Sequence, residues 1–169
     1  NGYEDLPIPG IPGWGDSTDG IASEFLTYAY LEKGPYTFGV NSDDGFQFSS
    51  GSDFQDSSAV LGGFNGGRCA NDTTFQTYVE ADGYYPIRVV WYEGGGGANV
   101  EVFHIDSGGN KILLGDPDNE NAIKCYAVGG VPLEETTTER PSTGRSYLLS
   151  ISPADGEKLV KSPTVQAVI

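Results

Sequence analysis

Histidine occurs once in this 169-residue chain, methionine not at all and cysteine only twice. With a single imidazole, His104, a multi-His metal cluster cannot be assembled, and a Ser-His-Asp relay would need partners that no recognisable motif supplies. His104 lies within EVFHID, a strand pattern, and reads as an exposed or half-buried strand histidine. Cys69 and Cys125 are too few and too far apart for a CxxC metal site. They read either as two free core thiols or as one disulfide across a long loop. The Gly-, Tyr- and Asp-rich composition has an extracellular character and favours the Cys69–Cys125 disulfide, and with it an oxidising compartment. Basic residues are scarce as well, nine against 24 acidic ones, for a net charge of -15. A surface of that sign repels nucleic acid and anionic membranes, and attracts divalent cations and neutral or cationic ligands. No apolar run approaches membrane-spanning length and no signal peptide is visible, which argues against membrane insertion. Asn1 at the start, with no Met, leads to the expectation that the chain is part of a longer product. No P-loop, GxSxG or helix-opening GxGxxG occurs, and neither a Lys nor a helix start follows the GGGG run at 94–97, so that run is no phosphate cradle.

What the chain has in quantity is glycine (25), proline (10), tyrosine (10) and phenylalanine (8), the composition of a loop-rich, all-β protein. Residues 1–20 are dense in Pro and Gly and form an irregular lead-in. IASEFLTYAYLE alternates with strand periodicity, and YTFGV, the Asp pair and FQFSS describe a hairpin-like corner. Residues 49–68 read mostly as loop around one apolar island, AVLGGF. TTFQTYVEADGYYPIRVVWYE predicts a strand pair closed by ADG, with Gly83 at positive φ, and ANVEVFHID-SGGN-KILLG predicts a second hairpin. Short strands at this spacing indicate a β-sandwich or barrel over residues 1–130. Residues 131–145 have the Thr-, Glu- and Pro-rich composition of a linker, and 146–169 read as the truncated start of a second, immunoglobulin-like β module.

The stretch NSDDGFQFSSG places Asp43 and Asp44 side by side with no cation within ten residues on the C-terminal side. Their repulsion is relieved either by water and salt on an exposed turn or by a bound cation. Adjacent strand residues face opposite ways, so the pair is ill suited to glycosidase acid and base work, and no catalytic residue is assigned. Calcium takes six to eight hard oxygen ligands in irregular geometry. WYEGGGGANV can supply more of them: the Glu93 carboxylate, the Asn99 amide oxygen and loop carbonyls unobstructed by side chains. GDPDNENAI, with Asp116, Asp118, Asn119 and Asn121, lacks EF-hand spacing and reads as an exposed Asx-type turn. Among the aromatics, Trp14, Phe46, Trp91 and Tyr92 lie near these loops; Trp91 and Tyr92 face opposite sides of a strand, so one can be core and the other near a ligand.

YLEKGPYTFGVNSDDGFQFSSGSD, followed by GYYPIRVVWYEGGGGANVEVFHID, resembles the protective-antigen-type domain, the PA-fourteen family. The lead-in GIPGWGDSTDGIASEFLTYAYLE, GGFNGGRCANDTTF and LLGDPDNENAIKCY resemble a secreted bacterial branch of it, and the likeness spans about residues 14–127. The resemblance implies a jelly-roll-like β-sandwich of the kind used as a sugar-binding module in adhesins, glycosidases and toxins. In lectin members paired aspartates, often joined by a cis peptide, ligate calcium, and the calcium binds sugar hydroxyls. Those aspartates correspond to Asp43 and Asp44. In yeast adhesin members an Asn on the second loop completes the side-chain ligands; here the nearest position is Glu93, with Gly95 and Gly97 as carbonyl donors. The resemblance thus implies Asp43, Asp44, Glu93, Gly95 and Gly97 around Ca2+, and Asp43, Asp44, Tyr92, Glu93 and Asn99 toward a ligand. The implied function is a calcium-dependent, non-enzymatic carbohydrate-binding module of a larger secreted or cell-surface protein, or an accessory module of a secreted glycosidase. Its partners would be a glycan or polysaccharide and other domains of its own chain. The alternative is a structural or protein-interaction module in which calcium only stabilises loops.

Overall fold

The computed structural model describes residues 19–56 and 58–127, and the backbone of 160–161. Alternating apolar residues build β1 (Ile21–Leu31), β2 (Gly34–Asp43), β3 (Gly45–Ser49), β4 (Val60–Phe64) and β5 (Asn71–Val79). They continue in β6 (Gly83–Glu93), β7 (Asn99–Ile105), β8 (Lys111–Leu113), β9 (Cys125–Ala127) and β10 (Val160–Lys161). No helix occurs among the described residues. The strands form two antiparallel sheets, ordered β10-β9-β1-β6-β3-β4 and β5-β2-β7-β8. Period-two patterning sends Phe38 and Val40 of β2 into the core, where they meet Phe48 of β3, and Ile87, Val89 and Trp91 of β6. Phe38, Phe48 and Phe75 stack and tilt against one another at centroid separations of 5.0–6.4 Å. Burying each such ring is worth on the order of 2–3 kcal/mol.

The strands lie close to where the alternation places them, but their pairing differs. β2 and β3 do not form a hairpin: β2 pairs with β5 and β7 in one sheet, β3 with β4 and β6 in the other. The chain crosses between sheets at the Asp pair, with Asp44 alone between the two strands. β5 and β6 likewise join opposite sheets, and Gly83 is not at positive φ. The island AVLGGF is strand rather than loop, because Gly62 and Gly63 admit close neighbours: a Cβ on Gly62 would meet Phe75 at 2.1 Å. The β7–β8 hairpin forms as expected, with Gly109 at φ 82°. The segment 115–123 makes Asx turns, with the Asp118 amide donating to Asp116 and that of Asn121 to Asn119. His104 is buried rather than exposed, 8% accessible, because its position on β7 faces Phe38. Trp14, the linker 131–145 and the second module at 146–169 lie outside the described residues, except that the backbone of Val160–Lys161 pairs with β9.

The Cys69–Cys125 disulfide is corrected: both cysteines are free, Cys69 exposed and Cys125 buried. Cys125 pairs with Ala29, opposite Tyr85, eight residues along β6 from Glu93, which puts it roughly 25 Å from that end of the sheet. Cys69 follows Arg68, whose amide lies at the Glu93 end, bonded to Asp44. Disulfide geometry needs Cα atoms within about 7 Å.

Two outcomes follow from this packing. Gly39 lies under the fully buried Phe103, and a Cβ there would sit 2.3 Å from the ring. Gly39→Ala is therefore expected to lower stability by about 1–3 kcal/mol in urea denaturation. Burial raises the Cys125 thiol to about 11, so an aromatic disulfide reagent should titrate one thiol in the native protein and two after denaturation.

Candidate metal centre

The crossing between sheets is anchored by groups from β6 and the β4–β5 loop as well as by its own neighbour Ser42. The Trp91 indole N–H donates to the Asp43 carbonyl at 3.0 Å, tying the corner to the core. The Ser42 hydroxyl donates to the Asp44 carbonyl at 2.7 Å, and the Asp44 amide donates to the Tyr92 carbonyl at 3.3 Å. Arg68, from the β4–β5 loop, reaches back with Nε to the Ser42 carbonyl, one terminal nitrogen to the Ser42 hydroxyl and the other to Thr73. Its guanidinium stacks over Phe64 at 4.2 Å. The Asp43–Asp44 peptide bond is cis.

Around this corner, ligand oxygens of Asp43, Asp44 and Glu93 lie within 4.8 Å of one another. Asp44 is itself well satisfied: the Arg68 amide donates to Oδ1 at 2.7 Å and the Gly94 amide to Oδ2 at 2.9 Å, and these bonds hold its pKa below the ordinary carboxylate value. Asp43, half-buried, is pushed upward by burial and then by Asp44, against the Ala70 amide and the Arg68 charge. Glu93 is only 1% accessible, and neither carboxylate oxygen has a hydrogen-bond partner. Burial first, then the Asp44 charge, raises its pKa; the Gly95 amide opposes this from nearby without hydrogen-bond geometry. Asn99 stands opposite Asp43 in the β2–β7 register, and its Oδ1 is also buried and unpartnered. Directly opposed residues share a face, so Asn99 joins the cluster from the second sheet.

Three buried, unpartnered oxygens beside two aspartates form a donor set for a hard cation. Carboxylate oxygens all within 4.8 Å of one another are close enough to share one hard cation. Every side-chain donor is oxygen, which disfavours zinc. The Gly94–Gly97 loop packs closely over these groups: a Cβ on Gly94 would lie 3.1 Å from Asp44, and one on Gly97 3.1 Å from Asp43.

Asp43, Asp44, Glu93 and Asn99 are thus brought together, with Gly95 and Gly97 beside them. Tyr92 is not in the cluster. Its ring lies over Gly45, and its hydroxyl donates to Asn65 at 2.9 Å and accepts from the Gly66 amide at 2.8 Å. It clamps the β4–β5 loop from the other face of β6, so the structure does not bring Tyr92 together with the acidic cluster. Arg68 and Asp19 were not anticipated. Arg68 is the cation missing from the Asp pair's local sequence, delivered from 24 positions downstream of Asp44; its mark is a lone basic residue inside GGRCAND. Asp19 accepts from the Gly96 amide at 3.0 Å.

Residues 25–106 match the family model described as the GLEYA domain. No curated protein matches the chain. Two solved structures are similar to it. One is a PA14 sugar-binding domain from an RTX adhesin: 23% identity, TM-score 0.45, covering 54% of this chain and 49% of that one. The other is the PA14 domain of the MpAFP antifreeze protein: 22% identity, TM-score 0.46, covering 53% and 46%. This chain spans about half the length of each.

The raised pKa of Glu93 means that the folded state holds its proton more tightly than the unfolded chain does. Without calcium, that stabilising contribution is present at acid pH and is lost as pH rises through the folded pKa. Glu93→Gln cannot ionise. In chelator it is expected to match the wild-type Tm near about pH 4 and to exceed it at about pH 7. A gap between the two proteins that does not vary with pH would exclude a buried, uncompensated Glu93 charge.

Proposed function

We propose that this chain is a calcium-dependent carbohydrate-binding module of an extracellular or cell-surface protein, without catalytic activity of its own. The observation that carries the reading is the buried, unpartnered Glu93 carboxylate, together with the orphaned Asn99 oxygen, facing the paired aspartates. Uncompensated buried charge is costly, and a divalent cation is the compensation that a donor set made only of oxygen fits best. The GLEYA match over residues 25–106 and the PA-fourteen resemblance support a sugar as ligand.

Asp43, Asp44, Glu93 and Asn99 would hold the ion, with loop carbonyls beside them. Bound there, calcium supplies Lewis-acidic positions for a pair of sugar hydroxyl oxygens. The protein's own part is pre-organisation. Arg68 and Gly94 fix the Asp44 carboxylate, Trp91 fixes the Asp43 carbonyl, and the exposed Gly94–Gly97 loop leaves the rim clear of side chains. Recognition of a neutral polyol through an ion also suits a chain of net charge -15, which would repel anionic ligands.

One observation favours a second reading, in which the ion only stabilises loops: Tyr92, the aromatic nearest the site in sequence, has its hydroxyl tied to the β4–β5 loop rather than turned to the acidic cluster.

Saturating calcium is expected to raise Tm by about 10 °C, the equivalent of roughly 2.7 kcal/mol at a hundredfold excess over Kd. Asp43→Asn and Asp44→Asn should each remove the rise. A glycan array should show binding that chelator abolishes. No thermal response to calcium would overturn the cation site; a thermal response with no glycan retained would overturn the sugar and support the purely structural ion.

A further inference from the structure

The Gly94–Gly97 loop presents consecutive amides to carboxylates on different sides. The Gly94 amide donates to Asp44 at 2.9 Å, that of Gly95 lies near Glu93, and that of Gly96 donates to Asp19 at 3.0 Å. The first two carboxylates belong to the acidic cluster. Asp19 is exposed, belongs to the segment before β1, and approaches the same loop from elsewhere: a Cβ on Gly95 would lie 3.9 Å from its carboxylate.

We infer that Asp19 is a positioning residue for the calcium site, setting the orientation of the Gly95–Gly96 peptide and hence of the Gly95 carbonyl; this rests on the calcium reading above. The peptide unit is planar and trans, so its N–H and C=O point in opposite directions. Holding the Gly96 N–H toward Asp19 therefore turns the Gly95 carbonyl to the opposite side of the loop. Gly96 itself sits at φ 109°, where only glycine is at ease, so its own conformation contributes little rigidity and an external partner is needed to choose one peptide orientation. Charge-assisted hydrogen bonds from a backbone amide to a carboxylate are strong enough to make that choice. Asp19 acts on the site through the loop, beyond the weak repulsion its charge exerts on Glu93. The site would then draw on the segment preceding β1 as well as on β2, β6 and β7.

Calcium affinity of the full chain, read by isothermal titration with the metal alone, separates positioning from mere charge. Asp19→Ala loses the acceptor and is expected to bind calcium about tenfold more weakly. Asp19→Asn keeps an Oδ1 acceptor for the Gly96 amide while losing the charge, and is expected to stay within about twofold of wild type. Tm in chelator should be the same for all three proteins within about 1–2 °C, since the residue is exposed and precedes β1. Hydrogen exchange of the Gly96 amide in chelator, about tenfold faster in Asp19→Ala than in wild type, provides a readout that needs no metal. Wild-type affinity in Asp19→Ala, an Asp19→Asn variant as weak as Asp19→Ala, or equal Gly96 exchange would each overturn the inference. A wild-type protein that takes up no calcium overturns the cation reading instead, and Gly96 exchange alone then decides whether Asp19 sets the loop.

Discussion

Everything at the acidic corner depends on how the chain leaves one sheet and enters the other. β2 ends at Asp43 and β3 begins at Gly45, so a single residue spans the change of sheet. So short a crossing leaves the backbone little freedom, and the surrounding groups remove what remains: Trp91 on the Asp43 carbonyl, Ser42 on that of Asp44, and Tyr92 accepting the Asp44 amide. The crossing also lies where β6 ends and β7 begins, so the loop that joins those strands, with Glu93 before it and Asn99 after it, must pass beside the two aspartates.

Charge then decides what the corner can do. Like charges about 5 Å apart repel by roughly 3 kcal/mol at an effective dielectric of about 20, more than a single charge-assisted hydrogen bond returns. Arg68 brings one positive charge, but its donors go to Ser42 and Thr73 rather than to a carboxylate, and only its amide reaches Asp44. It braces the frame without neutralising Glu93. The hydrogen bonds are concentrated on Asp44, whereas Glu93 has none. The folded chain therefore buries one carboxylate bare while satisfying its neighbour twice.

Much of this was legible in the sequence, for identifiable reasons. Strand positions followed from period-two patterning, which depends on local burial alone. Pairing did not, because a turn such as ADG between two apolar runs looks the same whether the runs neighbour each other or face each other across a sandwich; β5 and β6 do the latter. Asp43, Asp44, Glu93 and Asn99 could be grouped because two short loops contain all four. Arg68 and Asp19 could not, since what ties them to the corner is largely backbone, the Ser42 carbonyl and the Arg68 and Gly96 amides, which leaves no trace in residue identity. Tyr92's place apart from the cluster was hidden for a related reason: its partners are the Asn65 side chain and the Gly66 amide, in a segment that looked like featureless loop. The cysteines misled because composition speaks to compartment and not to distance.

The two sheets supply the donor set jointly: Asp43 and Asn99 stand on β2 and β7, Glu93 on β6, and Asp44 on the bridge between. Sliding of one layer over the other is the soft deformation of any sandwich, since only side-chain packing resists it, whereas each sheet is stiffened by its own ladder. An ion held by both layers would act as a rivet against that shear, and the cage would in turn work as a strain gauge, its grip loosening whenever force displaced one layer along the other.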